Sequence, residues 1–278
     1  MKKVLIPAAA TFLTLAATTA LAADLPSQKA PPPAPPPPPP WTGFYAGVNA
    51  GYFWTSDSTI TQSYADTLKG GFLSHALAGQ IPLQVSIGSH GFIGGGQVGF
   101  NYQFNNAFLL GLETDIQGLT GNDGTINLIS GQSASSFSRG LSQIGTIRAR
   151  VGYVLTPQWL LYGTGGYAYG QGNLTANYYG AWPSALQLID SESQTLSGYA
   201  VGGGAEWLFW PNWSVKAEYL YYNLGSLTTS GVEFSYKSGG VAAISTAQSS
   251  SRFSGNIVRA GINYHVNWIG PPKIFGDK

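Results

Sequence analysis

The 278-residue chain has a formal net charge of +1, no cysteine, and only 9% charged residues, against about 25% in ordinary soluble domains. So few charges disperse a protein poorly in water, near-neutrality gives no electrostatic footprint for nucleic acid as a partner, and the fold cannot rest on disulfides. No stretch after residue 25 offers about 18 consecutive apolar residues, which excludes a helical span in the mature chain and points to alternation, the pattern of a barrel in a membrane.

Residues 1–22 read as a signal peptide. Lys2 and Lys3 precede an apolar stretch from Val4 to Ala17, and Ala20-Leu21-Ala22 supplies a small-residue cleavage site, so the mature chain is expected to begin near Ala23. Residues 23–40 form a linker, in which Pro31 to Pro40 is all proline except Ala34. Such a run makes a polyproline II rod of about 30 Å. We read it as a stiff periplasmic spacer; a ligand for proline-reading domains would need the aromatic-lined grooves of signalling modules.

Residues 41–266 break into eight strand candidates: 43–55, 91–104, 107–119, 143–155, 159–171, 197–209, 213–225 and 254–266. Three connections are tight: Asn105-Asn106, Thr156-Pro157-Gln158 and Trp210-Pro211-Asn212. The other four, 56–90, 120–142, 172–196 and 226–253, are long and rich in Ser, Thr, Gly and Asn, and read as loops. Short turns at one end and long loops at the other are the layout of an antiparallel, eight-stranded transmembrane β-barrel with four long extracellular loops and both barrel ends on the periplasmic side. The two-residue period is clear. Phe108, Leu110, Leu112 and Ile116 share one face, and Glu113, Asp115 and Gln117 the other; Ile147, Ala149, Val151 and Tyr153 oppose Thr146, Arg148 and Arg150. A helix would not keep like residues on one face at this spacing. A soluble barrel or sandwich would put the apolar face inward, but the polar faces carry too few charges for water. Trp41, Phe44, Tyr45, Phe104, Trp159, Trp207, Phe209, Trp210, Trp213 and Trp268 gather near strand ends, where an interfacial aromatic girdle belongs. Residues 267–278 are expected to form a periplasmic tail.

The inward phase collects four acids, Glu113, Asp115, Glu206 and Glu218, and four bases, Arg148, Arg150, Lys216 and Arg259. An eight-stranded barrel has a lumen just wide enough for its side chains, and charges in it must pair. These eight are expected to interlock as a salt-bridge plug. Paired carboxylates can also hydrolyse bonds, but four bases beside four acids keep the carboxylates ionised, which does not suit a general acid. Gly94-Gly95-Gly96-Gln97-Val98-Gly99 fits the dinucleotide pattern G-x-G-x-x-G, yet alternation runs on through it where that motif needs a helix to begin. His75 and His90 fall in the first long connection and His265 near the periplasmic end. No clustered constellation marks a metal or haem site, and no spacing singles out a serine or aspartate partner for catalysis. No catalytic residue, metal or cofactor is expected.

The segment from Trp41 to Tyr52, WTGFYAGVNAGY, resembles the opening strand of the outer-membrane immunogenic proteins of alphaproteobacteria, within the porin-like, OmpA-like barrel superfamily. The junction Ala22-Ala23-Asp24-Leu25-Pro26, the run Gly145 to Tyr153 and the run Val258 to Tyr264 are similar to that group as well. The resemblance covers about residues 41–266. It implies an eight-stranded barrel in the bacterial outer membrane, exposed at the cell surface, in a group whose members are abundant antigens, often called porins, some implicated in envelope integrity, adhesion or haemin binding. Such chains usually end at an aromatic residue of the last strand, read by the insertion machinery, whereas here Asn267 to Lys278 follow that strand. The expected function is a structural surface protein supporting the envelope and presenting loops. The alternatives are a porin for small solutes and an adhesin or haemin receptor. The expected partners are outer-membrane lipid and lipopolysaccharide, the barrel insertion machinery, and the periplasmic cell wall through the Pro-rich linker.

Overall fold

A computed structural model of the chain describes residues 40–67, 72–104, 107–122, 124–130, 133–179, 187–237 and 240–267. The expected signal peptide, the linker up to residue 39, the tail after Asn267 and the girdle candidate Trp268 lie outside the described residues.

In chain order the elements are β1 (Gly43–Thr55), β2 (Thr59–Asp66), α1 (Phe72–Leu77), β3 (Gln84–Ser86), β4 (His90–Phe104), β5 (Phe108–Asn122), β6 (Gly124–Ser130), β7 (Ser133–Thr156), β8 (Trp159–Tyr179), β9 (Gln187–Trp210), β10 (Trp213–Lys237) and β11 (Gly240–Asn267). Each of the eight expected strands is present. They form an antiparallel ring, β1-β4-β5-β7-β8-β9-β10-β11, closed by β1 pairing β11 from Gly43↔Asn267 to Thr55↔Gly255. Closure leaves no free edge around the ring, the condition for strands to cross a bilayer.

The face assignment follows the alternation. Along β7, Thr146, Arg148 and Arg150 are buried in the lumen while Ile147, Ala149 and Val151 are exposed on the outer wall. The G-x-G-x-x-G segment lies within β4, and strand continues past its last glycine to Phe104. Gly99 is there because Tyr45 lies against it: a Cβ would stand 2.4 Å from the Tyr45 ring. The girdle needs a correction. Phe44, Phe104, Trp159, Trp207, Phe209, Trp210 and Trp213 are exposed as expected, but Trp41 and Tyr45 are buried in the lumen, because Tyr45 falls on the inward phase of β1 and Trp41 folds in beneath it. A second set of exposed rings, Tyr52, Phe92, Tyr167, Tyr199 and Tyr219, marks the opposite rim. Phe44 and Tyr52 are eight residues apart on β1, about 26 Å along a strand at about 3.3 Å per residue, the height of an apolar belt.

The larger correction concerns the four long connections. They are mostly strand. β8 to β11 run far past the belt, β6 and β7 form a hairpin above it, and the first connection folds into β2, α1 and β3. Above the belt the ring splits into two sheets. β9 pairs β10 only up to Tyr199↔Asn223. Beyond that, β6-β7-β8-β9 form one wall and β10-β11-β2-β3 the other. Between the walls lies an apolar core that includes Phe72, Phe137, Leu174, Tyr178, Leu227 and Phe253. The alternation therefore changes polarity along one strand. On β11 the outward residues are Val258, Ala260, Ile262 and Tyr264 in the belt but Thr246, Gln248, Ser250 and Arg252 above it. Lipid outside demands the first set and water outside the second.

Candidate functional site

Three cross-strand pairs place acid opposite base: Glu113↔Arg148, Glu206↔Lys216 and Glu218↔Arg259. Register thus brings together all eight inward charges, none more than 4% exposed. Glu113 is the hub. Its carboxylate accepts from Arg148 Nη2 at 2.6 Å and from Lys216 Nζ at 2.8 Å, with Arg150 and Arg259 each at 3.5 Å. Arg148 spans the lumen, donating also to Asp115 at 2.9 Å and to Glu218 at 3.0 Å. Arg259 meets Glu218 at 2.5 Å and Asp115 at 3.1 Å. Arg150 links Glu113 to Glu206, which it contacts at 2.7 Å. The eight formal charges cancel.

Neutral polar groups extend the network; sequence reading placed Thr146 on the inward face but assigned none of them to the network. Tyr45 Oη donates to Glu113 at 2.7 Å and accepts from Arg150 at 2.7 Å. Tyr162 Oη donates to Glu218 at 3.1 Å, and its ring lies 3.8 Å from the Arg150 guanidinium carbon. Thr146, Ser214 and Asn263 donate to Asp115 or Glu206 at 2.6–2.7 Å. All sit on the inward phase of strands already recognised, which is the signal that could have found them. With Gln117 donating to Asp115 Oδ1 at 3.0 Å, every oxygen of the four carboxylates has at least one partner, which is what makes buried carboxylates tolerable.

The histidines are scattered. His75 Nδ1 bonds Gln80 Oε1 beside α1, His90 lies by Tyr52 at the upper rim, and His265 is in the lumen floor. His265 Nε2 is 2.8 Å from Ser214 Oγ and 3.4 Å from Glu206 Oε1. In an acyl-transfer triad the imidazole stands between acid and serine, using both nitrogens. Here Glu206 and Ser214 meet the same nitrogen, Ser214 also bonds Glu206 directly, and Trp41 packs edge-on against the ring at 5.7 Å. The arrangement suits a packed floor and gives a nucleophile no access to substrate.

Below the charges, Trp41, Leu109, Val154, Leu160, Tyr162 and Leu208 form a second apolar cluster. The lumen is filled in three tiers: apolar floor, neutral ionic middle, apolar head.

A closed antiparallel barrel with an apolar belt, aromatic rims and a polar, packed lumen defines a transmembrane β-barrel protein. The family model for the outer membrane protein beta-barrel domain matches residues 8–265, and the chain belongs to that family. It is 32% identical over 273 residues to the 31 kDa outer-membrane immunogenic protein of Brucella melitensis, covering 95% of this chain and 99% of the relative. It is 33% identical over 135 residues to a 22 kDa outer membrane protein of Rhizobium leguminosarum, covering 48% of this chain and 53% of that one. Among solved structures, OprG of Pseudomonas aeruginosa aligns at 11% identity with a TM-score of 0.39, over 81% of this chain and 97% of that one. The protein is an outer-membrane β-barrel surface protein of bacteria. In such barrels the short turns face the periplasm and the long connections the outside, so the two-walled head is extracellular.

Proposed function

We propose that the protein is a sealed structural barrel that anchors a folded head at the cell surface and supports the envelope, and that it passes no solutes. The three-tier lumen carries this reading. A channel-forming barrel needs about 16–18 strands to leave an aqueous bore; eight strands, with the middle cross-linked by Arg148 and Arg259 and the mouth filled by the head core, leave no path. Delivery by the barrel insertion machinery and contact of the Pro-rich rod with the cell wall belong to the same proposal. They are supported by the barrel itself and by the Pro-rich sequence that precedes it.

The test is planar-bilayer conductance of refolded protein. Native protein is expected to conduct negligibly, and Arg148→Ala to conduct more or to unfold more easily. Large native conductance, with Arg148→Ala altering only ion selectivity, would overturn the proposal in favour of a porin.

A further inference from the structure

The split between the two walls leaves one strand unusually bare. β9 is paired to β8 as far as Tyr179↔Gln187, but on its other side no described strand pairs with it above Tyr199. The cause is local. β10 carries a bulge between Asn223 and Ser226, with Gly225 at φ 83° and its N–H bonded to Asn223 Oδ1 at 3.0 Å. A left-handed residue here turns β10 away from β9.

Leu188 and Leu196 are buried and close the two ends of the split, Leu188 against Gly231. Between them, residues 191–195 are exposed on both phases of the strand, including the inward-phase Glu192 and Gln194. Their β8 partners Leu174 and Gly172 are buried. The outward hydroxyls are tied to β8: Ser191 to Thr175 at 3.0 Å and Ser193 to Asn173 at 2.7 Å. The edge is therefore held against β8, and its free side offers a seven-residue ladder of about 23 Å over 189–195.

An open edge of this kind templates a further strand. We propose that β9 over 189–195 is a strand-addition site for an extended, basic segment of another protein at the cell surface. The charge pattern selects the partner. Asp190 and Glu192 share one phase, two residues apart, and neither has an ion-pair partner among the described residues. A second copy of β9 would bring these acids against each other, which disfavours self-pairing. A segment with Lys or Arg at alternate positions would answer both acids while its backbone completed the ladder. This site is independent of whether the lumen is sealed.

The test uses full-length protein refolded in detergent and a fluorescent eight-residue peptide of alternating Lys and Thr, read by anisotropy. Two further versions carry N-methyl groups on one or the other set of alternate amides, and a fourth peptide replaces Lys with Glu. The Lys/Thr peptide is expected to bind. One N-methyl version should lose at least tenfold and the other little, because only one set of amides faces the edge. Asp190→Asn combined with Glu192→Gln should weaken binding about three- to tenfold, as two exposed ion pairs allow, while the heat-dependent gel mobility of the barrel stays native. Equal loss or equal retention by both N-methyl peptides would overturn the proposal, since plain electrostatic attraction has no sidedness. No binding, equal binding of the Glu/Thr peptide, or unchanged affinity in the double variant would overturn it as well.

Discussion

At the scale of single residues, β7 offers a direct contrast between neighbours. Arg148 holds three acids in the lumen, whereas Ala149 faces lipid. Arg148→Ala leaves those carboxylates short of a partner, and breaking a buried pair costs about 3–5 kcal/mol. Ala149→Leu adds apolar surface to an apolar solvent and should change stability by less than about 1 kcal/mol. Urea unfolding of vesicle-inserted protein, followed by tryptophan fluorescence, measures both. Similar losses in the two variants would contradict the face assignment, because a one-residue slip exchanges every side chain between lumen and lipid. Gly99→Ala is a finer probe. The new methyl would meet the Tyr45 ring at 2.4 Å and the Leu112 carbonyl at 2.7 Å. Overpacking of this kind costs about 1–3 kcal/mol, and here it also displaces the hydroxyl that bridges Glu113 and Arg150.

At the scale of elements, the bulges govern both the architecture and what the sequence could reveal. Gly225→Ala forces a side chain into a left-handed conformation, at about 1–2 kcal/mol. Hydrogen exchange should show faster opening of the amides of 226–237 with little change in the belt segment of β10. Tyr178→Phe tests the head core in the same way. It removes the bonds to Gln62 at 2.7 Å and Ser249 at 3.3 Å that join the two walls, and should loosen the head by about 1–3 kcal/mol while leaving the barrel inserted. These positions also explain where the reading of the sequence stopped. The fourth strand candidate began at 143 and the seventh ended at 225, and the structure places bulges between Leu141 and Ile144 and between Asn223 and Ser226. A bulge shifts the alternation by one, so the inward phase passes from Ile144 to Leu141 and from Leu224 to Leu227, and a strict period-two pattern breaks there. β8 and β9 have no such break above the belt, and β11 has none until its register shift opposite Ser235 and Tyr236, but their outward residues turn from aromatic to Ser, Thr and Asn. That polar set resembles a loop by composition while still fitting a strand in water. The inward charges were legible because phase alone defines them. Which acid meets which base was not, because it depends on register, and register is set by closure of the ring.

At the scale of the whole molecule, the even strand number puts both ends of the ring at the short-turn end, where Gly43 lies opposite Asn267. The head stands at the other end, and orientation in the membrane can be tested without disturbing either. The chain has no cysteine, so single cysteines report cleanly. Ser63 lies on the exposed face of β2 in the head, and Gln158 lies exposed in the turn between β7 and β8. Both substitutions avoid the lumen and the apolar core, so neither should change the fold. A thiol reagent too bulky for porins, added to intact cells, should label Ser63→Cys fully and spare Gln158→Cys. After the outer membrane is opened, both should react. The reasoning is one of transport as well as topology. Placing the head outside requires long, largely uncharged hairpins to cross once during insertion, and the ring then closes beneath them. The reverse arrangement would leave the short turns exposed outside and the head in the periplasm. Labelling of Gln158→Cys but not Ser63→Cys on intact cells would establish that reverse arrangement, and would remove the β9 edge from any partner outside the cell.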